Sequence, residues 1–386
     1  MKREKTILIT GGHLTPAMSI INELRRRGYD SFIWVGRRKT MKKDKNDSAE
    51  YNVIKNDLEI PFIDITTGKV IKFNSLKTLI ESIINIIKIP IGFIQSIFLL
   101  IKTKPKIIIS FGGYIAVPIV LAGWFLDIPS VTHEQTIIVG KANKFISKFS
   151  KKIFISWEES KKYFTENKVI LTGNPVRKEV LISETNNYNL NMKLKTIYVT
   201  GGNQGSHIIN QNIKSIIKKL LEKYNVIHQT GITTVTKDFE ECDRIEKSLT
   251  GKTKGNYIVK GHVFGIEIGE IFNKADIIIS RAGANTMTEI FALGKPAILI
   301  PISWSLNNEQ FENAKKIEKI GLGKIIEEKD LKPKILKKYI DKAFKLIKKG
   351  KDFNEKSLKK TISKAKDMIN LKASEIIANE TIKMIE

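Results

Sequence analysis

The stretch TILITGGHLTPA, Thr6 to Ala17, decides how the whole chain is read. Thr6–Ile9 is a β-branched apolar run of the kind that forms a strand covered on both faces. Gly11 and Gly12 let the backbone turn tightly and approach a ligand closely. Thr15 is a good N-cap and Pro16 a good first helical residue, so a helix is expected over Pro16–Arg27 with its N-terminus aimed at whatever lies above His13. Strand, glycine turn and helix make a βα unit, and the pattern recurs. Ser31–Val35, Lys106–Ser110, Ser130–His133, Lys152–Ser156 and Val169–Leu171 continue a first series of expected strands. A second series begins with TIYVTGGNQGS, Thr196 to Ser206, and runs through Asn225–Gln229, Tyr257–Val259, Asp276–Ser280 and Ala297–Ile300. Such alternation predicts an α/β protein built on doubly wound parallel sheets, whose ligands sit outside the carboxyl ends of the strands. The polar stretch Ser183–Lys195 is the expected linker. The expected domains are therefore residues 1–182 and 183–367, and the lysine-rich chain from Lys332 reads as helices.

Length agrees with two domains, because 386 residues exceed the ~250–300 at which single cores stop growing. The 66 Lys and Arg against 40 Asp and Glu leave a formal charge of +26. This suits an anionic partner such as phosphate or anionic lipid. It equally suits a coding bias, since Lys, Ile and Asn crowd nearly every segment. No RNA-binding aromatic pattern and no Cys/His zinc spacing is present, so no nucleic-acid partner is expected. Cys242 is the only cysteine, which rules out an intrachain disulfide and fits a reducing compartment.

Leu79–Ile101, LIESIINIIKIPIGFIQSIFLLI, is about long enough to span a bilayer. It carries Glu81, Lys88, Pro90 and Gln95, and Pro90 is expected to divide it into two short amphipathic helices. Their apolar faces suit either a buried core or a membrane interface. The flanking Lys72, Lys77, Lys102, Lys104 and Lys106 would favour an anionic lipid surface.

Chemistry concentrates at the strand ends. His13 stands between a glycine pair and a helix, where an imidazole can act as a general base or a donor to a sugar. Phe111-Gly112-Gly113-Tyr114 is another glycine pair at a strand end, with Tyr114 lining a ligand site or packing. In His133-Glu134-Gln135-Thr136, Glu134 is a second candidate base or sugar ligand, against a structural ion pair, and His133 reads as support for the fold. In Gly173-Asn174-Pro175-Val176-Arg177, Arg177 suits a phosphate or an ion pair between the domains. Gly201-Gly202-Asn203-Gln204-Gly205-Ser206 offers backbone amides and a helix N-terminus to an anion. Arg281-Ala282-Gly283-Ala284-Asn285-Thr286-Met287-Thr288-Glu289 places small residues at a strand–helix corner. There Glu289 either completes a capping box with Thr286 or grips ribose hydroxyls. Gln310, in NNEQFEN, could reach a sugar. No D-x-D motif occurs, so no metal is expected. The diphosphate would be neutralised by loop amides, helix N-termini and Arg177. Neither glycine loop has the G-x-G-x-x-G spacing that a nicotinamide-dependent oxidoreductase predicts.

Taken in order, GGH…P, FGGY, P-x-x-x-HEQ, GNPVR, GG-x-QG, R-x-G-A-x-T-x-x-E and EQ-x-x-NA resemble the MurG family, the membrane-associated N-acetylglucosaminyltransferases of peptidoglycan synthesis. The resemblance runs from about Thr6 to Gly323. It implies the GT-B fold, two Rossmann-like domains facing a central cleft, with a last helix at about 368–386 packing back on the first domain. It implies an inverting hexosyltransferase that uses UDP-N-acetylglucosamine as donor substrate and binds no tight cofactor. The acceptor would be the muramyl 4-hydroxyl of undecaprenyl-linked lipid I, and the product lipid II. The enzyme would be peripheral, on the cytoplasmic face of the cell membrane, and would serve cell-wall biogenesis, cell shape and cell division, with room for other cell-wall synthesis proteins as partners. By resemblance, the first domain takes the acceptor and the membrane through His13, Tyr114 and Glu134. His13 is the base, with Glu134 assisting or substituting. The donor-side positions are Thr10, Gly11, Gly12, Thr136, Arg177, Asn203, Gly265, Ala284, Asn285, Thr286, Met287, Thr288, Glu289 and Gln310. The chain departs from the family in a shorter first loop, in Thr136 where Asn is usual and in Asn203 where Ser is usual. A related transferase acting on diacylglycerol is the alternative, which HEQ and GNPVR argue against.

Overall fold

The computed structural model describes residues 5–39, 47–69, 76–182, 188–202, 204–233, 235–263, 265–305 and 308–386. The chain divides into two compact units, Met1–Pro175 with Asn370–Glu386, and Val176–Ile369.

In the first unit the elements are β1 (Ile7–Gly11), α1 (Leu14–Arg26), β2 (Phe32–Gly36), α2 (Ala49–Asn52), β3 (Phe62–Asp64), α3 (Leu76–Thr103), β4 (Ile107–Phe111), α4 (Ala116–Phe125), β5 (Ser130–Glu134), α5 (Lys141–Ile146), β6 (Lys152–Ile155) and β7 (Val169–Leu171). They form a parallel sheet in the order β3-β2-β1-β4-β5-β6-β7. The order reverses between β1 and β4, so the ends of these two strands mark the switch point where such sheets hold ligands. β1 is buried along its whole length, as its unbroken apolar run requires.

The second unit contains α6 (Lys178–Leu181), β8 (Lys195–Thr200), α7 (His207–Leu221), β9 (Tyr224–Gln229), α8 (Asp238–Leu249), β10 (Tyr257–Lys260), α9 (Gly265–Lys274), β11 (Ile277–Ser280), α10 (Ala284–Leu293), β12 (Ala297–Leu299), α11 (Glu309–Ile320), β13 (Gly323–Ile325), α12 (Pro333–Lys348) and α13 (Leu358–Asp367). Its parallel sheet runs β10-β9-β8-β11-β12-β13, with the switch point between β8 and β11. The last helix, α14 (Ala373–Ile385), belongs to the first unit. Ile377, Ala378 and Ile385 join Ile20, Ile21 and Leu24 of α1 in one core. Arg27 bonds Asn379 beside it, while the buried Glu23 accepts from both Arg26 and Arg27.

The expected strands lie within two residues of the observed ones, but several other expectations change. The unit boundary falls at Pro175–Val176 because α6 packs on α9, where a Cβ on Gly269 would sit only 1.8 Å from the Glu179 carbonyl oxygen. The expected linker is not loose over its described part. Tyr188 and Leu190 are buried, and the Tyr188 amide donates to Glu270 at 3.2 Å. Residues 183–187 of that stretch lie outside the described residues. Helix α1 starts at Leu14 with His13 at the cap position, so Thr15 is not the cap. Pro16 is tolerated in the first turn because amides there have no helical partner anyway. Pro90 does not divide α3, which runs on past it as one helix of 28 residues. One missing N–H bond costs about 3 kcal/mol, less than the packing of a long helix on α4 can supply. The short β3 and β13 are strands that the sequence pattern does not predict.

Candidate functional site

The first unit gathers its candidates on the carboxyl ends of adjacent strands. Gly11, with φ at 135°, ends β1 so close to β4 that a Cβ would stand 2.7 Å from the Phe111 carbonyl carbon. No other residue fits there. The chain then delivers the half-buried His13 with its Nδ1 2.7 Å from the Phe111 carbonyl oxygen. A carbonyl only accepts, so Nδ1 carries the proton and Nε2 presents its lone pair. Thr10 at the same strand end is buried, and its hydroxyl has no hydrogen-bond partner among the described residues. Tyr114, after β4, accepts a 2.5 Å bond from Arg37.

Glu134 is buried at the end of β5 and is heavily engaged. Its oxygens accept from the Thr136 amide at 2.9 Å, Thr136 Oγ1 at 2.6 Å, the Gly140 amide at 3.3 Å and Asn143 Nδ2 at 3.0 Å. Asn143, which the sequence did not single out, also donates to the His133 carbonyl, so it organises the whole β5–α5 loop. Thr136 Oγ1 also lies 2.8 Å from the Ile138 carbonyl, and its one proton can serve only one of the two acceptors. His133 is fully buried, with Nε2 3.3 Å from both the Gly173 carbonyl and Ser156 Oγ. Burial pushes its pKa down to about 4, so it is neutral and supports the fold.

In the second unit, Arg177 closes on Glu289, with Nε 2.7 Å and Nη2 2.6 Å from Oε1. Burial pushes the Glu289 carboxyl up and the guanidinium pulls it back, with a net rise. The ion pair lies within one unit and does not link two. Helix α10 begins at Ala284 with Gly283 at its cap, so Thr286 and Glu289 form no capping box. Asn285 and Thr286 are half-buried in the first turn, whereas Ala284, Met287 and Thr288 are buried. Thr288 bonds back to the Ala284 carbonyl at 2.8 Å. Gln310 Oε1 accepts from the amides of Ala282 at 3.3 Å and Ile302 at 3.1 Å, which ties the ends of β11 and β12 together. Ser280 Oγ, at the end of β11, is buried without a partner among the described residues. Arg177, Ala284–Glu289 and Gln310 thus gather at β11. Gly265 opens α9 after β10, three strands away in the sheet order. Asn203 lies outside the described residues. Among the described residues no group of His, Cys, Asp or Glu could hold a metal ion.

Arg37 and Arg281 went unread in the sequence as site residues. Each directly follows a strand, and a basic residue in that position is the available signal. Arg281 is held by the Ile300 carbonyl at 3.0 Å and by Glu328 at 2.6 Å.

Comparisons with known proteins agree in both halves. Residues 10–155 match the N-terminal domain of glycosyltransferase family 28, and residues 196–371 its C-terminal domain. A UDP-N-acetylglucosamine--N-acetylmuramyl-(pentapeptide) pyrophosphoryl-undecaprenol N-acetylglucosamine transferase of Clostridium perfringens is 32% identical over 348 residues, 88% of this chain and 90% of that one. The enzyme of the same description from Legionella pneumophila is 32% identical over 85% of this chain and 84% of its own. The crystal structure of MurG from Acinetobacter baumannii shares the fold, with a TM-score of 0.65 at 22% identity, covering 98% of this chain and 99% of that one. The chain belongs to the MurG family of N-acetylglucosaminyltransferases and has the GT-B fold.

Proposed function

We propose that this chain transfers N-acetylglucosamine from UDP-N-acetylglucosamine to the muramyl 4-hydroxyl of undecaprenyl-pyrophosphoryl-N-acetylmuramyl-pentapeptide, with inversion. The reaction class rests on similarity to transferases of that description over 88% of the chain. The choice of base rests on the bond from His13 Nδ1 to the Phe111 carbonyl. As the acceptor oxygen attacks the anomeric carbon, Nε2 takes its proton, and the C1–O bond to the diphosphate breaks with its electron pair leaving on UDP. The first unit takes the acceptor, with Tyr114 beside it. Glu134 acts by holding the β5–α5 loop, because its oxygens are already engaged by the Thr136 and Gly140 amides and by Asn143. The second unit takes the donor, with Arg177 aiming Glu289 at the ribose and the first turn of α10 facing the diphosphate.

The enzyme works peripherally on the cytoplasmic face of an anionic membrane. Helix α3 leaves Ile87, Ile91, Ile94 and Phe98 exposed, and Trp124 and Phe125 extend the apolar surface at the end of α4. The segment Ser82–Thr103 has the length and composition to cross a bilayer. The interfacial reading is preferred because Lys102, Lys104, Lys141, Lys144 and Lys148 are exposed around the patch, as a headgroup contact requires.

The test is a transfer assay with labelled UDP-N-acetylglucosamine, with a lipid I analogue and diacylglycerol offered in parallel. Label is expected in the lipid I analogue. Label only in diacylglycerol would overturn the reading.

A further inference from the structure

Arg37 follows β2, and Tyr114 follows β4. These strands flank β1 on either side, so the 2.5 Å bond from Arg37 Nη1 to the Tyr114 hydroxyl spans the end of β1, where Gly12 and His13 turn. The two glycine turns lie close there, since a Cβ on Gly113 would stand 3.5 Å from the Gly12 amide nitrogen. Ser48 Oγ donates to the Arg37 carbonyl at 3.0 Å and steadies the backbone. Arg37 is half-buried as a residue, yet among the described residues no carboxylate pairs with it. Arg38, next in the chain, shows the contrast: it is exposed, pairs with Asp47 at 2.8 Å and lies over the Tyr51 ring. A half-buried arginine without a carboxylate partner is free to take an anion, and its planar fork suits phosphate oxygens two at a time.

We propose that Arg37, held by Tyr114, binds the pyrophosphoryl group of the lipid-linked acceptor. The inference rests on the acceptor reading given above. The pyrophosphate sits on C1 of the same muramyl ring whose 4-hydroxyl meets His13. Its cation must therefore stand about one sugar ring from the base. Neighbouring strands are about 4.8 Å apart, and Arg37 and His13 leave neighbouring strands. Pyrophosphate fits better than the stem-peptide carboxylates, which hang from the other side of the ring on a long flexible arm.

The test begins with the full-length wild type on a lipid I analogue. An inactive wild type would overturn the acceptor reading before any variant is made. With activity in hand, Arg37→Ala is expected to raise KM for the analogue about tenfold or more, a loss of about 1.4 kcal/mol. KM for UDP-N-acetylglucosamine and the melting temperature should stay unchanged. Arg37→Lys should recover part of the loss, and inorganic pyrophosphate should compete with the acceptor less well in Arg37→Ala than in the wild type. The defect should persist with an analogue whose peptide is truncated, and binding to anionic phospholipid vesicles should not change. An unchanged acceptor KM would overturn the proposal. So would a defect that vanishes with the truncated peptide, or one that appears as lost vesicle binding.

Discussion

The guanidinium of Arg177 meets a single carboxylate oxygen of Glu289 through two nitrogens, across 112 residues of chain. Only 3% of the Glu289 side chain is exposed, against 20% for Arg177. The two partners are therefore not equivalent. Without Arg177, a carboxylate is left buried and uncompensated, which costs about 3–5 kcal/mol. Without the charge on Glu289, the guanidinium can still reach water. Arg177→Met is expected to lower the urea midpoint far more than Glu289→Gln, and the double variant should recover most of the difference. Equal losses from the two single changes would show that the pair is not set up this way. In the transfer assay Glu289→Gln should raise KM for the sugar nucleotide while the fold persists.

His13 owes its orientation to the Phe111 main-chain carbonyl, which a substitution at Phe111 would leave in place. His13→Ala is expected to lower kcat by about 10²–10⁴-fold, the usual worth of a positioned general base, with both KM values little changed. Unchanged turnover would remove His13 from the chemistry.

Glu134 separates two roles that the sequence left open. A base would lose turnover on conversion to Gln and keep its stability. A loop organiser would lose stability, because Gln turns one acceptor oxygen into a donor that faces either the Thr136 amide or Asn143 and the Gly140 amide. Glu134→Gln is expected to cost about 1–3 kcal/mol by urea denaturation. A fully stable but inactive variant would restore Glu134 as a base.

Much of the fold was legible because its strands are short apolar runs closed by glycine. IYVT and DIIIS announce themselves without any knowledge of their neighbours. The three-residue β3 and β13 carry no such run and exist only because a sheet edge offers them partners. The buried linker was hidden in the same way. Tyr188 and Leu190 sit among polar residues in sequence yet are buried, and Tyr188 is bonded to Glu270 and Glu267 of α9. At the site, residue types and strand-end positions could be read, but pairings could not. Whether Glu289 faces a helix cap or Arg177 depends on where α10 starts. Whether Tyr114 packs or accepts from Arg37 depends on two strands meeting on either side of a third.

Glu50 gives the fold a pH dependence in the neutral range. Its carboxylate accepts from the Trp34 indole at 2.7 Å in a desolvated setting, and its pKa is pushed up to about 7, chiefly by burial. A carboxyl raised on folding takes up protons in the native state. Its contribution is therefore full below the unfolded value of 4.5 and is lost as pH rises through about 7. Glu50→Gln keeps an oxygen for the indole and removes the titration. Its stability should pull ahead of the wild type between pH 5 and pH 8, by roughly 3 kcal/mol at most. Parallel stability–pH curves for the two proteins would exclude Glu50 as the source.

The patch on α3 can be tested without touching the chemistry. Ile94 and Phe98 are 54% and 70% exposed, so replacing them removes little packing inside the protein. In a membrane each would bury apolar area worth about 1.5–3 kcal/mol. Ile94→Ser with Phe98→Ser is therefore expected to weaken binding to anionic vesicles more than tenfold. Turnover on a short-chain acceptor in detergent should be unchanged. The lysines act through a different force. Neutralising Lys141, Lys144 and Lys148 should cost about 1 kcal/mol each at low ionic strength, and this part alone should disappear as salt is raised past the screening range. An apolar loss that persists in salt, together with a lysine loss that does not, is the signature of a helix lying in a charged interface. A helix that spans the bilayer would stay bound in high salt with all three lysines neutralised.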